Sequence, residues 1–194
     1  MEPEEKEWLA QYRLGHVEAL GKLVEYHRRP LYGFILKMTE SRGDADEIFQ
    51  ETWLRAIKHM HRYRDKNFRS WLFRIAHNFV IDTARKAKPM VDLHGTDTEG
   101  QDPPEERMRA QGIGPAEEAA GRDIGAHIRA AVSRLPAEQR EVFLMRTDGH
   151  LPFKEIARIQ GTSINTALAR MQYALGKLRE LLQGDYESRA RDGR

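Results

Sequence analysis

Apolar side chains in this sequence return every three or four positions, and no stretch alternates in the period-two manner of a strand. Residues 3–14 predict a short helix, with Glu4 and Glu5 suited to its positive N-terminal end. From residue 17 to 38, Leu20, Leu23, Val24, Tyr32, Ile35 and Leu36 make a second helical stripe, with a bend expected at Pro30. Ser41-Arg42-Gly43 predicts a turn. Asp44, with Glu47 three positions on, predicts a capping box that opens a third helix running to about residue 63. A polar hinge, residues 62–67, separates it from a fourth, in which Phe68, Trp71, Leu72, Ile75, Phe79 and Thr83 share one face. Phe73 and Ile81 fall off that face, so this helix is expected to be covered on more than one side. Pro89 ends it, because its ring clashes with the preceding turn and restricts the residue before it. Residues 1–88 therefore predict one compact helical domain.

The pattern then breaks. Residues 89–121 hold eight carboxylates against two arginines, several prolines and glycines, and almost no large apolar residue. Such a segment cannot bury enough surface to fold alone and predicts a flexible acidic linker. Periodicity resumes at Arg122: Ile124, Ile128, Ala131, Val132 and Leu135 predict a helix stopped by Pro136, and residues 138–147 a second with Val142, Phe143 and Met145 inside. Residues 122–183 predict a second helical domain, and residues 184–194 a polar tail. The expected fold is all-α, two small helical domains joined by a linker.

Charge and composition narrow the chemistry. A net charge of +2 over 194 residues rules out a global basic footprint, so any nucleic-acid surface must be local. It is local: residues 62–88 carry five arginines and three lysines against two aspartates. No run of about 18 apolar residues occurs, so no membrane span is expected. The acidic start, MEPEEKEW, lacks the order of a signal peptide. With no cysteine there is no disulfide, thiolate metal site or cysteine nucleophile, which fits the cytoplasm.

A basic helix interleaved with aromatics suits single-stranded nucleic acid, because cations follow the phosphates and each ring offers an unstacked base roughly 1–3 kcal/mol. The competing reading is that Trp71, Phe79 and their neighbours are ordinary core, with Tyr63 and Phe68 at the hinge the more open rings. Residues 152–182 have the spacing of a helix-turn-helix. Ile156 and Ala157 face inward, Gly161 ends the first helix and Ser163 caps the second. Pro152 opens the first, where its missing N–H costs nothing. Asn165, Thr166, Leu168, Ala169, Arg170, Gln172 and Tyr173 are then candidates to face the major groove of duplex DNA, with Lys177 beyond them. The alternative is a plain helical hairpin with a solvated basic face.

These segments resemble the extracytoplasmic-function sigma factors of bacterial RNA polymerase. DADEIFQETWLRAIKHMHRY resembles the family's core-polymerase-binding helix, FRSWLFRIAHNFVIDTARK its −10 promoter helix, and LPAEQREVFLMRTDGHLPFKEIARIQGTS its second DNA-binding domain. The resemblance implies that Asp46, Glu47, Gln50, Glu51 and Trp53 meet the polymerase clamp. It implies that the hinge captures a flipped base, and that the linker threads the active-site and RNA-exit region. On the −10 strand it implies Tyr63, Arg64, Lys66, Asn67, Arg69, Trp71, Arg74, Asn78 and Arg85; on the −35 duplex, the groove-facing set above with Lys177. Core RNA polymerase and promoter DNA are the implied partners, an anti-sigma factor is left open, and no cofactor, metal or catalytic residue is implied. The chain departs from the family at Gln160 and Thr162, usually apolar, at Ala167, usually β-branched, and at Leu168-Ala169, usually a basic then a small polar residue.

Two other classes compete. A stand-alone helix-turn-helix regulator shares the helix pair, but the first half lacks the strands and acidic loops of a phosphoacceptor domain. An enzyme finds little support. His59 and His61 project from different sides of a helix, against a metal site, and GTDTEG lacks the strand and helix context of a phosphate loop.

Overall fold

Periodic burial of the stripes gives four elements in the first half: α1 (Pro3–Arg13), α2 (Glu18–Met38), α3 (Arg42–His59) followed by a 3₁₀ turn (Met60–Arg62), and α4 (Phe68–Ala87). The second half holds α5 (residues 125–133), α6 (Ala137–Thr147), α7 (Phe153–Ile159) and α8 (Ile164–Asp192). The computed structural model describes residues 3–64, 67–87 and 125–192, the last stretch with side chains to residue 183. The expected linker, residues 89–121, lies outside the described residues. Among the described residues there is no strand, and the all-α reading stands. Helix α8 continues into the polar tail as far as Asp192.

The third helix starts earlier than its pattern predicts. Ser41, not Asp44, is the N-cap: its backbone is extended and its hydroxyl accepts from the Asp44 N–H at 3.1 Å. The hydroxyl donates in turn to the Asp44 carboxylate at 2.7 Å. The acidic residue of the box is therefore Asp44, and Glu47 is left exposed on the helix surface.

In the first half Leu23, Leu31, Phe34, Ile35, Met60, Phe68, Leu72 and Phe73 are fully buried. Each contributes on the order of 1.5–3 kcal/mol relative to exposure. α1 docks on α2 through a buried pair, Glu5 with His27 at 2.9 Å, and an edge-to-face contact of Trp8 with Tyr26. In the second half Leu144, Met145, Leu151 and Ile156 form the centre under α8.

The two halves pack on each other, α4 against α7 and α2 against α6. Phe73, off the main stripe, is the side chain this contact covers. Its ring meets Phe34 at 5.3 Å on one side and the Gly149 turn on the other. Lys37 on α2 reaches Asp148 in that turn at 2.7 Å, and His77 on α4 meets Glu141 on α6 at 3.2 Å, both buried.

Candidate nucleic-acid interface

On α3, Glu47, Gln50, Glu51 and Leu54 recur at helical spacing and all are exposed, Leu54 by 52%. The acidic row thus stands beside an uncovered leucine. Asp46 is exposed too, but it is not idle: its carboxylate accepts the Tyr32 hydroxyl at 2.7 Å, an attachment that also raises the tyrosine pKa, after burial. Trp53 corrects the sequence reading. It is only 5% exposed and packs toward Phe68, so it supports the row from beneath.

At the hinge, Tyr63 is also 5% exposed and Phe68 fully buried, the reverse of the open rings expected. Tyr63 stacks on Trp71 at 4.9 Å and meets Phe68 edge-on at 5.4 Å. Its carbonyl accepts Arg13 from α1 at 2.6 Å. Bulky rings beside an arginine-fixed carbonyl sink into the core because burial there outweighs exposure. Tyr63 therefore positions Trp71 and is not itself open to a base. Lys66 lies outside the described residues. Asn67 is the cap of α4, its side-chain oxygen accepting from the Ser70 N–H at 3.1 Å. Its amide nitrogen keeps its donor capacity.

Along α4 the remaining candidates align. Asn67, Trp71, Arg74, Asn78 and Arg85 share one helix face at three-, four- and seven-residue intervals. Asn78 and Arg85 are exposed, and Trp71 and Arg74 half-buried. Arg69 departs from the row: its guanidinium lies 5.7 Å from the Tyr26 ring centre and donates to the Tyr26 hydroxyl. Arg64 is exposed, but its guanidinium donates to the His61 and Tyr63 carbonyls at 2.9 and 3.1 Å.

The helix pair α7–α8 is built as the sequence predicts. Ile156 and Ala157 are buried, and Gly161 has φ +64°. The Thr162 N–H reaches the Ala157 carbonyl at 2.9 Å, and the Gly161 N–H that of Arg158 at 3.4 Å, the paired bonds of a Schellman end. Ser163 caps α8 by accepting from the Thr166 N–H at 3.0 Å. Ala167, Ala174, Leu178 and Leu181 are the buried side of α8. Asn165, Gln172 and Tyr173 stand opposite, all exposed, with Ala169 between them and Leu168 and Lys177 on the flanks. Arg170 and Thr166 are half-buried. Arg170 donates to the Gln160 side-chain oxygen at 2.9 Å and to the Glu138 carboxylate.

Sequence reasoning passed over the groups that hold Arg170, because Glu138 comes from another helix, as does Glu141, which accepts the Gln160 amide; Gln160, noted as unusual, was the available signal. It also passed over Ser70, Glu155 and Arg158. With Arg64, Asn67, Trp71, Arg74 and Ile159 these line a cleft of about 320 Å³ between α4 and α7.

Residues 23–89 match the family model Sigma-70 region 2, and residues 126–178 match Sigma-70, region 4. The chain is 31% identical over 163 residues to the ECF RNA polymerase sigma factor SigL of Mycobacterium tuberculosis, covering 83% of this chain and 87% of that one. The chain belongs to the extracytoplasmic-function sigma factor family. This sigma factor is a transcription initiation factor that directs RNA polymerase to promoter DNA. Its fold is also that of CnrH, solved in complex with the cytosolic domain of CnrY: TM-score 0.67, 24% identity, 94% of this chain and 99% of that one covered. The sigma factor RpoE from Bartonella quintana, solved with the anti-sigma factor NepR, aligns with TM-score 0.62 and 19% identity over 84% and 96%. No helix among the described residues is long and apolar enough to cross a membrane.

Proposed function

We propose that this sigma factor divides its work among three surfaces. The exposed α3 row of Asp46, Glu47, Gln50 and Glu51, with Leu54, docks on core polymerase. The α4 row of Asn67, Trp71, Arg74, Asn78 and Arg85 takes the melted −10 strand, where bases stack on Trp71 and cations follow the phosphates. The exposed side of α8, led by Asn165 and Gln172 with Tyr173 and Lys177 beside them, reads the −35 duplex. It does so without catalysis of its own, in the cytoplasm, and an anti-sigma factor is a further partner, as for the RpoE relative.

The alignment of Asn67, Trp71, Arg74, Asn78 and Arg85 on one face of α4 carries this reading. Five residues able to stack, donate or neutralise phosphate do not line one helix face by the demands of packing alone. The test is transcription from cognate promoter with purified core polymerase, on fully paired and pre-melted templates. Trp71→Ala with Arg74→Ala should leave closed-complex binding near normal, depress melting, and be rescued substantially by the pre-melted template. Gln172→Ala should weaken closed binding by roughly 1–3 kcal/mol if it contacts a base, and the bubble should not rescue it. Sequence-specific footprints by the chain alone at ordinary salt would replace this reading with that of a stand-alone regulator.

A further inference from the structure

The outward side of α8 carries a narrow choice of chemistry. Asn165, Leu168, Ala169 and Gln172 fall at three-, four- and seven-residue intervals and share one helix face. Asn165, Leu168 and Gln172 are exposed, and Ala169 is half-buried. Ile164, one turn before Leu168, completes an apolar edge beside the two amides; the pair are 45% and 39% exposed. Between residues 164 and 174 the sequence has no carboxylate and one cation, Arg170.

That cation is spoken for within the second half. Arg170 donates to Gln160 Oε1 at 2.9 Å and to the Glu138 carboxylate. Gln160 is fixed with its oxygen toward Arg170, because its amide nitrogen donates to Glu141 at 2.6 Å and to the Glu138 carbonyl at 3.1 Å. The guanidinium is left with a side-chain exposure of 21%. Lys177 and Arg179 are exposed, but at 1.5 Å per residue they stand about 18 and 21 Å along the axis from Asn165. A recognition helix meets base edges with its N-terminal residues, so these two suit phosphates.

The base edges of the major groove differ in what they ask of a protein. Guanine presents two acceptors, N7 and O6, which Arg or Lys takes; the cytosine N4 donor calls for a carboxylate. The first three turns of α8 offer neither on this face. Adenine presents an acceptor beside a donor, N7 and N6, which an Asn or Gln amide matches with two hydrogen bonds. Thymine carries a C5-methyl, the one apolar group that the four base edges show there. An exposed leucine flanked by an exposed isoleucine has that methyl as its natural counterpart.

We infer that α8 reads a short run of A·T pairs: Asn165 and Gln172 each take an adenine, and Leu168, with Ile164 and Ala169 beside it, packs on a thymine methyl. This rests on the assignment of α8 to the −35 duplex made above, and supplies the base identity that the assignment leaves open. Residues 165–172 cover about 10 Å of helix axis, or about three base pairs at roughly 3.4 Å each.

The experiment uses the full chain with purified core polymerase at one salt concentration. A duplex library randomised over the upstream element is selected by closed-complex binding. Each thymine of the enriched element is then replaced in turn by uracil, which keeps the pairing and O4 and lacks only the methyl. The enriched element should be a run of A·T pairs, and uracil at one position should lower affinity roughly fourfold. A G·C pair in place of an adenine read by Asn165 or Gln172 should lower it roughly 5- to 150-fold. Leu168→Ala should bind the thymine and uracil templates alike, and Leu168→Arg, selected afresh, should enrich guanine at that position. Both should keep the wild-type helix signal; the uracil comparison on the wild-type chain decides without either variant. Enrichment of G·C pairs across the element, or equal affinity for thymine and uracil at every position, overturns the inference and leaves the −35 role standing. Enrichment of no upstream element, or one whose binding is unchanged by Gln172→Ala with Leu168→Ala, removes the −35 role and the inference with it.

Discussion

Gly149 lies so close to Phe73 that a Cβ on the glycine would stand 2.8 Å from one edge atom of the ring. The same Cβ would stand 2.7 Å from the Met145 carbonyl. No positive φ requires glycine there, since only Gly15 and Gly161 among the described glycines have one; the approach of the α6–α7 turn to α4 does. Gly149→Ala should therefore destabilise the chain by about 1–3 kcal/mol, as overpacking does. Phe73→Leu in the same chain should recover part of the loss, because the ring clash goes and the carbonyl clash stays. Urea denaturation of the two single variants and the double variant measures the coupling; strictly additive losses would mean that the two residues do not meet.

Asn67 has two separable duties. Asn67→Ala should lose about 1 kcal/mol with the α4 cap, visible as a fall in Tm of about 2–4 °C for a chain of this size. Asn67→Asp keeps the accepting oxygen and adds negative charge at a helix N-terminus, where it is favourable. Its Tm should match the wild type. Having lost the amide donor, it should nevertheless melt promoter DNA as poorly as the alanine variant, read by permanganate reactivity in the presence of polymerase.

Glu47 and Glu51 are both exposed on α3. Glu47→Lys with Glu51→Lys should leave the helix signal and Tm near wild type. Affinity for core polymerase should fall about tenfold or more, mostly through like-charge repulsion against a basic partner surface. Affinity measured by fluorescence anisotropy that stays within twofold of wild type would return these residues to a merely solvated face. Asp46 is the less clean choice, because it also holds Tyr32.

His27 gives the chain a pH dependence whose sign follows from burial. Desolvation holds its pKa below the ordinary 6.5, outweighing the hydrogen bond and charge of Glu5, which act the other way. Its unfolded form therefore takes a proton more readily than its folded form. Stability is full above about pH 6.5 and is lost as pH falls from there toward the folded value. His27→Gln should be less stable at pH 8 but flatter between pH 7 and 5, and the difference between the two Tm profiles isolates this residue from the other histidines.

Local chemistry explains what could be read in advance. Ala157, Gly161 and Ser163 each meet their requirement within six residues, so the α7–α8 turn was legible down to individual hydrogen bonds. Phe73 was legible as a residue with a second side to fill, though not what fills it. Ser41 was missed because Ser-x-x-Asp and Asp-x-x-Glu overlap in one stretch, and the earlier box sets the start. Tyr63 and Trp53 were misjudged because their burial depends on distant partners: Arg13 fixes the hinge carbonyl from fifty residues away, and Phe68 meets both rings. Arg170 reads as a free donor until Glu138, thirty-two residues back, is placed beside it. Helix faces follow from spacing, but which faces oppose each other does not.

The ribosome makes the two ends of the His77–Glu141 contact at different times. They are 64 residues apart, which at about 5–20 residues per second is roughly 3–13 s of synthesis. During that interval α1–α4 can already assemble, and α6 and α7 do not yet exist. A nascent chain would then carry Asn67, Trp71 and Arg74 without the wall that Glu155, Arg158 and Ile159 of α7 later set beside them.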